Sequence, residues 1–473
     1  MKRARAGRRP AIDLERRSPL GPAAFAALRA EEEPWLLECF VPLPGFTKML
    51  ENRSVLIFGS PGSGKTAIQR ALQASVIGTD GRPSRLLVHW RPSPLPPEAL
   101  PDIAWVKRLT ADILDACAAS LVHHLARFPE DYLSIPPWAQ DRLVWFIRRF
   151  TKGEPSLRWG PLASGEERGS ELIRHILTTT DVPEVLYPDV SPEHVVTELI
   201  SALEPLKMKG IWVLSDGLEG WAEIAPEHLA ASLKAFLSTL SLLSLPGMVF
   251  KISLPDHLEP AISHASGLHR RRIEGLHLRW ETPYLKQLVE RRLALAFGQQ
   301  SFPLERLCNT PKLLSWLEKV GGTSPREWLD QVAVLVEHYA SLPRPAPIDE
   351  DTWKQLRAER PPRFYLDELG RRVIVGGREI NLEELPPKVY EVLCYLYRRG
   401  DHVVTKAELY YRIYRHLDRI PRPGDPEYEG PKEYAGVIDT TLWRLRQAIE
   451  PDPEDPVLLI TRRGHGVRLR VRW

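Results

Sequence analysis

The octapeptide Gly59, Ser60, Pro61, Gly62, Ser63, Gly64, Lys65, Thr66 limits what this chain can fold into more than any other stretch. Its closely spaced glycines allow backbone angles that other residues resist, so successive N–H groups can turn to one side. The flanks decide what this turn joins. Ser54–Phe58 before it is short, apolar and β-branched, as befits a strand buried on both faces. Ala67–Val76 after it reads as a helix. Strand, glycine turn and helix together form the setting in which Gly-x-x-x-x-Gly-Lys-Thr holds phosphate. The N–H groups and the helix N-terminus face the oxygens, Lys65 offsets their charge, and the Thr66 hydroxyl is a ligand for Mg²⁺. The expected ligand is a nucleoside triphosphate, ATP with Mg²⁺.

A second half for such a site is present. Ile211–Ser215 is an apolar strand ending at Asp216, which would hold Mg²⁺ through water. Glu219, just beyond, is the candidate to orient or activate an attacking water, and slow ATP hydrolysis is the activity expected. Further strands are expected at Arg85–Trp90, Met248–Ser253 and Ile273–Leu278, with helical segments between them. That alternation indicates an α/β domain with a parallel sheet. Residues from about 20 to 50 and from 102 to 149 read as helical. Ala235–Leu254 is the most apolar run, but Pro246, Gly247 and Lys251 break it. It reads as a buried helix, a turn and a strand, not a membrane span.

These segments resemble the AAA+ and STAND groups of P-loop ATPases, with Walker A at Gly59–Thr66 and Walker B at Ile211–Asp216 followed by Gly217, Leu218 and Glu219. The resemblance extends over roughly residues 30 to 340. It implies Ser253 as a polar sensor at the end of its strand. It also implies an arginine finger among Arg270, Arg271 and Arg272, and Arg326 as a second sensor where a helix starts. About 120 residues separate the second strand from Asp216, which leaves the sheet order and the choice between the two groups open.

A Pro-rich stretch, Ser341–Pro347, ends this region. Beyond it, residues 364–473 resemble the winged helix of OmpR/PhoB-type regulators. Leu382–Leu396 corresponds to the first helix, Thr405 to an N-cap with Glu408 closing a capping box, Val437–Ile449 to the recognition helix, and Ile460–Arg468 to the wing. Val467 stands where that family usually has Tyr. The spacing agrees independently. Leu442, Leu445 and Ile449 form one apolar stripe. Thr440, Thr441, Trp443, Arg444 and Gln447 lie away from it, placed to enter a major groove. Arg462, Arg463 and Arg468 belong to a tail, Thr461–Trp473, with five Arg and no acid, which suits phosphate contacts. The segment before the recognition helix, His416–Tyr434, is long and rich in Pro, Gly and acids.

The expected layout is a basic tail at 1–20, an ATPase core at 21–280 with a helical insert at about 102–190, an all-α lid at 281–340, a linker at 341–360 and a winged helix at 361–473. A net charge of +3 neither demands nor excludes nucleic acid. Cys39, Cys117, Cys308 and Cys394 form no C-x-x-C pair, which argues against a zinc site or disulfide framework and fits a bacterial cytoplasm. The functional expectation is a regulator in which nucleotide state controls how the winged helix sits or assembles on double-stranded DNA, with a homo-oligomer formed on ATP or DNA. Two rivals stand beside it. One is an ATPase of a mobile-element, defence or DNA-remodelling system anchored by the winged helix. The other is a small-molecule P-loop kinase, for which no acceptor site is visible.

Overall fold

The computed structural model describes residues 19–26, 29–92, 103–179, 191–238, 243–265, 271–368, 370–462 and 464–472. Nearly all of the expected basic tail therefore lies outside the described residues, as do Arg270 and Arg463. The chain forms two compact units. One is Pro42–Arg279; the other joins Met1–Val41 to Trp280–Trp473.

The first unit is built on five parallel strands: β1 (Ser54–Phe58), β2 (Leu86–His89), β3 (Ile211–Ser215), β4 (Met248–Leu254) and β5 (Ile273–His277), in the order β2-β3-β4-β1-β5. The sequence explains why the centre is parallel. Every residue of β1, β3 and β4 is buried, so these runs are apolar nearly throughout and do not alternate. Helix α1 (Lys65–Ser75) follows β1. The insert after β2 contributes α2 (Ile103–Arg127), α3 (Pro137–Phe150), α4 (Arg168–Thr178) and α5 (Pro192–Leu203); α6 (Glu219–Ile224) and α7 (Pro226–Ser238) follow β3. Ile113, Leu121 and Leu125 of α2 share one core with Ile147 of α3, Ile173 of α4 and Val88 and Val213 of the sheet.

The helical periodicity expected over 102–149 is real but cut into three helices, at Pro129 and at Pro136–Pro137, because proline ends the preceding turn and starts the next. A short helix at Pro155–Ala163 was not among the expected elements.

One residue of β4 departs from the apolar pattern. Lys251 is fully buried, and its ammonium donates to the carbonyls of Met49, Glu51 and Arg53 at 2.7, 2.9 and 2.8 Å. It also lies 4.9 Å from the centre of the Trp212 ring. Three acceptors match its three N–H bonds. Burial still pushes its pKa down to about 7.

The second unit contains α8 (Thr282–Ala296), α9 (Lys312–Gly321), α10 (Pro325–Ser341) and α11 (Glu350–Glu359), then the antiparallel strands β6 (Phe364–Asp367), β7 (Arg372–Val375) and β8 (Arg378–Asn381). Helices α12 (Pro387–Arg399) and α13 (Pro431–Ile449) and the hairpin β9 (Leu459–Arg462) and β10 (Gly466–Leu469) complete it. Within the stretch expected as a linker, α11 is capped by Asp349 and buries Trp353 and Arg357.

Three expectations need correction. The helix expected over about 20–50 reduces to one-turn pieces at Gly21–Phe25, Ala30–Glu32, Leu36–Cys39 and Phe46–Met49, with Pro34, Pro42 and Pro44 in the breaks between the later pieces. The helix expected from Leu382 starts only at Pro387, behind Pro386. Thr405 does accept from the Glu408 N–H at 3.1 Å, but the box does not close: the Glu408 carboxylate takes the Tyr395 hydroxyl at 2.6 Å and the Arg399 guanidinium instead.

Candidate nucleotide site and nucleic-acid interface

The glycine loop leaves the C-terminal end of β1 and closes on itself before α1. Gly59 N–H donates to Leu254 O at 3.1 Å, and Ser63 N–H to Ser60 O at 3.1 Å. Gly62 and Gly64 have φ of 80° and 88°, a region that strains other residues. A Cβ on Gly59 would lie 2.3 Å from Ser63 Oγ. Ser60 is exposed on the rim, with Pro61 beside it. Lys65 is 4% exposed; its ammonium donates to Gly59 O at 2.6 Å and Ser60 O at 3.0 Å, and pairs with Glu219 Oε1 at 3.0 Å.

Asp216 sits at the same edge, at the end of β3. Burial raises its pKa above the ordinary aspartate value and the Glu219 charge adds to this; hydrogen bonds from Thr66 and the Gly217 N–H, and the Lys65 charge, oppose it. Asp216 Oδ1 is buried with no hydrogen-bond partner among the described residues. A glycine cradle with a buried lysine, a hydroxyl against a carboxylate, and one idle carboxylate oxygen together fit a phosphate chain with its Mg²⁺. Thr66 and Asp216 would hold the metal. Among the described residues no cluster of three or more His, Cys, Asp or Glu could hold a metal by itself.

Ser253 lies one strand away from both halves. It is buried, and Gln69 Nε2 donates to its hydroxyl at 2.9 Å, as well as to Lys251 O at 2.9 Å and Ser215 O at 3.2 Å. Gln69 therefore ties α1 to β3 and β4 together. Nothing in the sequence pattern marks Gln69 except its place one helical turn beyond Lys65. The Arg91 guanidinium, which a Cβ on Gly217 would meet at 3.7 Å, is likewise unmarked by any motif.

Arg271 and Arg272 are not brought to this loop. They precede the N-terminal end of β5, whereas the loop leaves the C-terminal end of parallel β1. Five strand residues, about 16 Å, separate the two edges, so neither can serve this chain's own phosphates as placed. Arg326 belongs to the other unit, at the start of α10, whose N-cap Ser324 accepts from the Glu327 N–H.

On α13, Ile438, Leu442, Leu445 and Ile449 are buried, and Thr440, Trp443, Arg444 and Gln447 are exposed, Trp443 at 60%. Thr441 does not join the exposed face. It is buried, bonded to Val437 O at 2.9 Å and to the Tyr414 hydroxyl at 2.6 Å. Arg462 is exposed on β9, while Arg468 on β10 leans toward Asp401 at 3.5 Å. Val467, at the position of the expected tyrosine, is buried and bridges to Val404. Among the described residues no helix is long and apolar enough to cross a membrane.

No family model matches the chain. The sensory transduction protein RegX3 of Mycolicibacterium smegmatis is 34% identical over 97 residues, covering 20% of this chain and 36% of that protein. RegX3 of Mycobacterium leprae is 35% identical over 97 residues, covering 20% and 41%. The chain thus spans 36% and 41% of the length of these curated relatives. Among solved structures, the ORC2 protein of Aeropyrum pernix in ADPNP–ADP complexes superposes with a TM-score of 0.34 at 12% identity, over 96% of this chain and 92% of that one. The Aeropyrum pernix ORC1 protein in complex with DNA gives 0.32 at 14% identity, over 96% and 94%.

Proposed function

We propose that this chain is an ATP-binding, slowly hydrolysing regulator that binds double-stranded DNA through α13 and the β9–β10 wing, and whose nucleotide state sets how that face engages DNA. The observation that carries the nucleotide half is the buried, unpartnered Asp216 Oδ1 beside Thr66 at the rim of a glycine cradle. Bound Mg²⁺ would supply charge neutralisation of the phosphate oxygens. The protein's own part is a swap of partners. Lys65 gives up Gly59 O, Ser60 O and Glu219 for phosphate oxygens, and the released Glu219 carboxylate is left to orient a water. Ser253, through Gln69, keeps α1 in register with β3 and β4 during the swap. Arg271 and Arg272 could act only on a neighbouring copy, and Arg326 is the residue by which α10 would sense nucleotide.

The exposed aromatic and basic face of α13 supports the DNA half. DNA affinity and stoichiometry measured with ATPγS, with ADP and without nucleotide test the whole. Equal values in all three would sink nucleotide control. Brisk DNA-stimulated turnover would instead favour an ATPase anchored on DNA.

Two residue-level outcomes follow. Arg444→Ala should weaken DNA binding and flatten its salt dependence, because a phosphate- or base-facing cation is lost. Thr441→Ala should leave DNA affinity near wild type but lower thermal stability, since it removes a buried hydroxyl from the Tyr414 contact. Filter binding across a salt series and thermal melts check both.

The raised pKa of Asp216 sets a pH dependence. A carboxyl shifted upward takes its proton while an ordinary aspartate is still charged, so on acidification it is lost as a metal ligand before an ordinary aspartate would be. The Mg²⁺-dependent part of ATP affinity should therefore decline with falling pH, and Asp216→Asn should lack that step. Fluorescent-nucleotide titrations with Mg²⁺ and with EDTA, for both proteins, decide it.

A further inference from the structure

The join between the helical lid and the winged helix lies wholly within the second unit, and one side of it is made of backbone. Gly377 N–H, at the β7–β8 turn, donates to Val320 O at the end of α9, at 2.9 Å. A Cβ on Gly377 would meet Gly321 O at 2.2 Å and Ser324 Cβ at 2.7 Å; one on Gly376 would meet Val320 O at 2.4 Å. Only glycine permits this approach, and Gly376 also has a φ of 60°. The turn therefore rests on the start of α10, the helix that carries Arg326.

Charge fixes the other side. Asp330 of α10 is fully buried, and Oδ1 accepts from Arg360 at 3.0 Å and from Arg472 at 2.7 Å. Those two arginines flank the winged helix at its beginning and its end. Arg357 of α11 is held between the rings of Trp316 and Trp353, at 4.6 and 4.5 Å, and pairs with Asp455 in the turn after α13. A buried carboxylate with two cations gives a join with one low-energy arrangement, because any slip leaves it uncompensated.

We infer that the lid helices and the winged helix move as one rigid body, so that α13 takes its orientation from α10 and not from a flexible tether. Building on the nucleotide-controlled reading above, α10 is then the transmission element: a turn of the lid swings the DNA-reading face by the same angle. Asp330, Gly376 and Gly377 are positioning residues for DNA binding, although none lies on the DNA-reading face.

Two measurements test this. In the wild-type full chain, native-state hydrogen exchange across a denaturant series should show α10 and α13 amides losing protection in one shared opening. Opening of α13 at lower denaturant while α10 stays closed would overturn the inference. This outcome does not depend on any effect of ATP.

The second measurement is DNA affinity of Gly377→Val and Asp330→Asn with ATPγS and with ADP. Where the wild type shows a ratio in the usual coupling range of about 5- to 150-fold, the variants should bring it near one while keeping nucleotide affinity and nucleotide-free DNA affinity. Variants that keep the full ratio would overturn the join as transmitter. A wild-type ratio of one would defeat the nucleotide-controlled reading instead, and a variant that lost DNA binding altogether would leave the exchange experiment to decide the join.

Discussion

Lys65→Ala should all but abolish ATP binding, raising Kd by about 30- to 1000-fold, the equivalent of about 2 to 4 kcal/mol for a charge-assisted contact set. The loop shows why the effect is large. Lys65 is the cation paired with Glu219, and it already lies beneath the loop on the carbonyls of Gly59 and Ser60. A triphosphate brought in without it would face two carboxylates, Asp216 and Glu219, with the Lys65 ammonium gone from between them. The fold should survive, because Glu219 is partly exposed and can hydrate when its partner goes. Isothermal titration with ATP·Mg²⁺, beside a thermal melt, separates the two effects. Undiminished binding would remove the loop as the nucleotide site.

The second large effect concerns stability. Arg292→Met should destabilise the second unit by about 3 to 5 kcal/mol. Arg292 and Glu33 are 2% and 3% exposed and form a two-pronged pair, with Nη1–Oε1 at 2.9 Å and Nη2–Oε2 at 2.5 Å. Arg292 also donates to Ala24 O at 3.2 Å, so one guanidinium holds the N-terminal segment onto α8. Removing it takes the guanidinium from a carboxylate in the interior. The double variant Glu33→Leu with Arg292→Met should recover most of the loss, because a buried ion pair is worth little more than apolar residues of similar volume. Exchange protection of the α8 amides reports both; an equal loss in single and double variants would refute the buried-charge explanation.

Much of the candidate nucleotide site was legible because its chemistry is local. A glycine turn between an apolar run and a helix has few other uses, and the Asp after Ile211–Ser215 follows from the same logic. What was not legible depends on strand order. Gln69 matters only because β4 lies between β1 and β3, bringing Ser215, Lys251 and Ser253 under one face of α1. Thr441 was misplaced for a different reason. The stripe counted from Leu442 leaves it outside, whereas counting from the buried Ile438 puts it three residues on and inside. In the N-terminal segment expected as helical, prolines cut the helix to single turns such as Leu36–Cys39. The lid–wing join was invisible, because contacts made by glycine backbones leave no side-chain pattern and the partners of Asp330 lie 30 and 142 residues away.

Lys251 offers the molecule a built-in clock. An amine closed off by three carbonyls and an indole meets no acylating reagent while β4 is seated against the chain leading into β1. Each acylation of Lys251 therefore records one parting of the strand that carries the glycine loop from its neighbour. Counted with and without nucleotide, those events measure how firmly ligand at one end of the sheet clamps the other end shut.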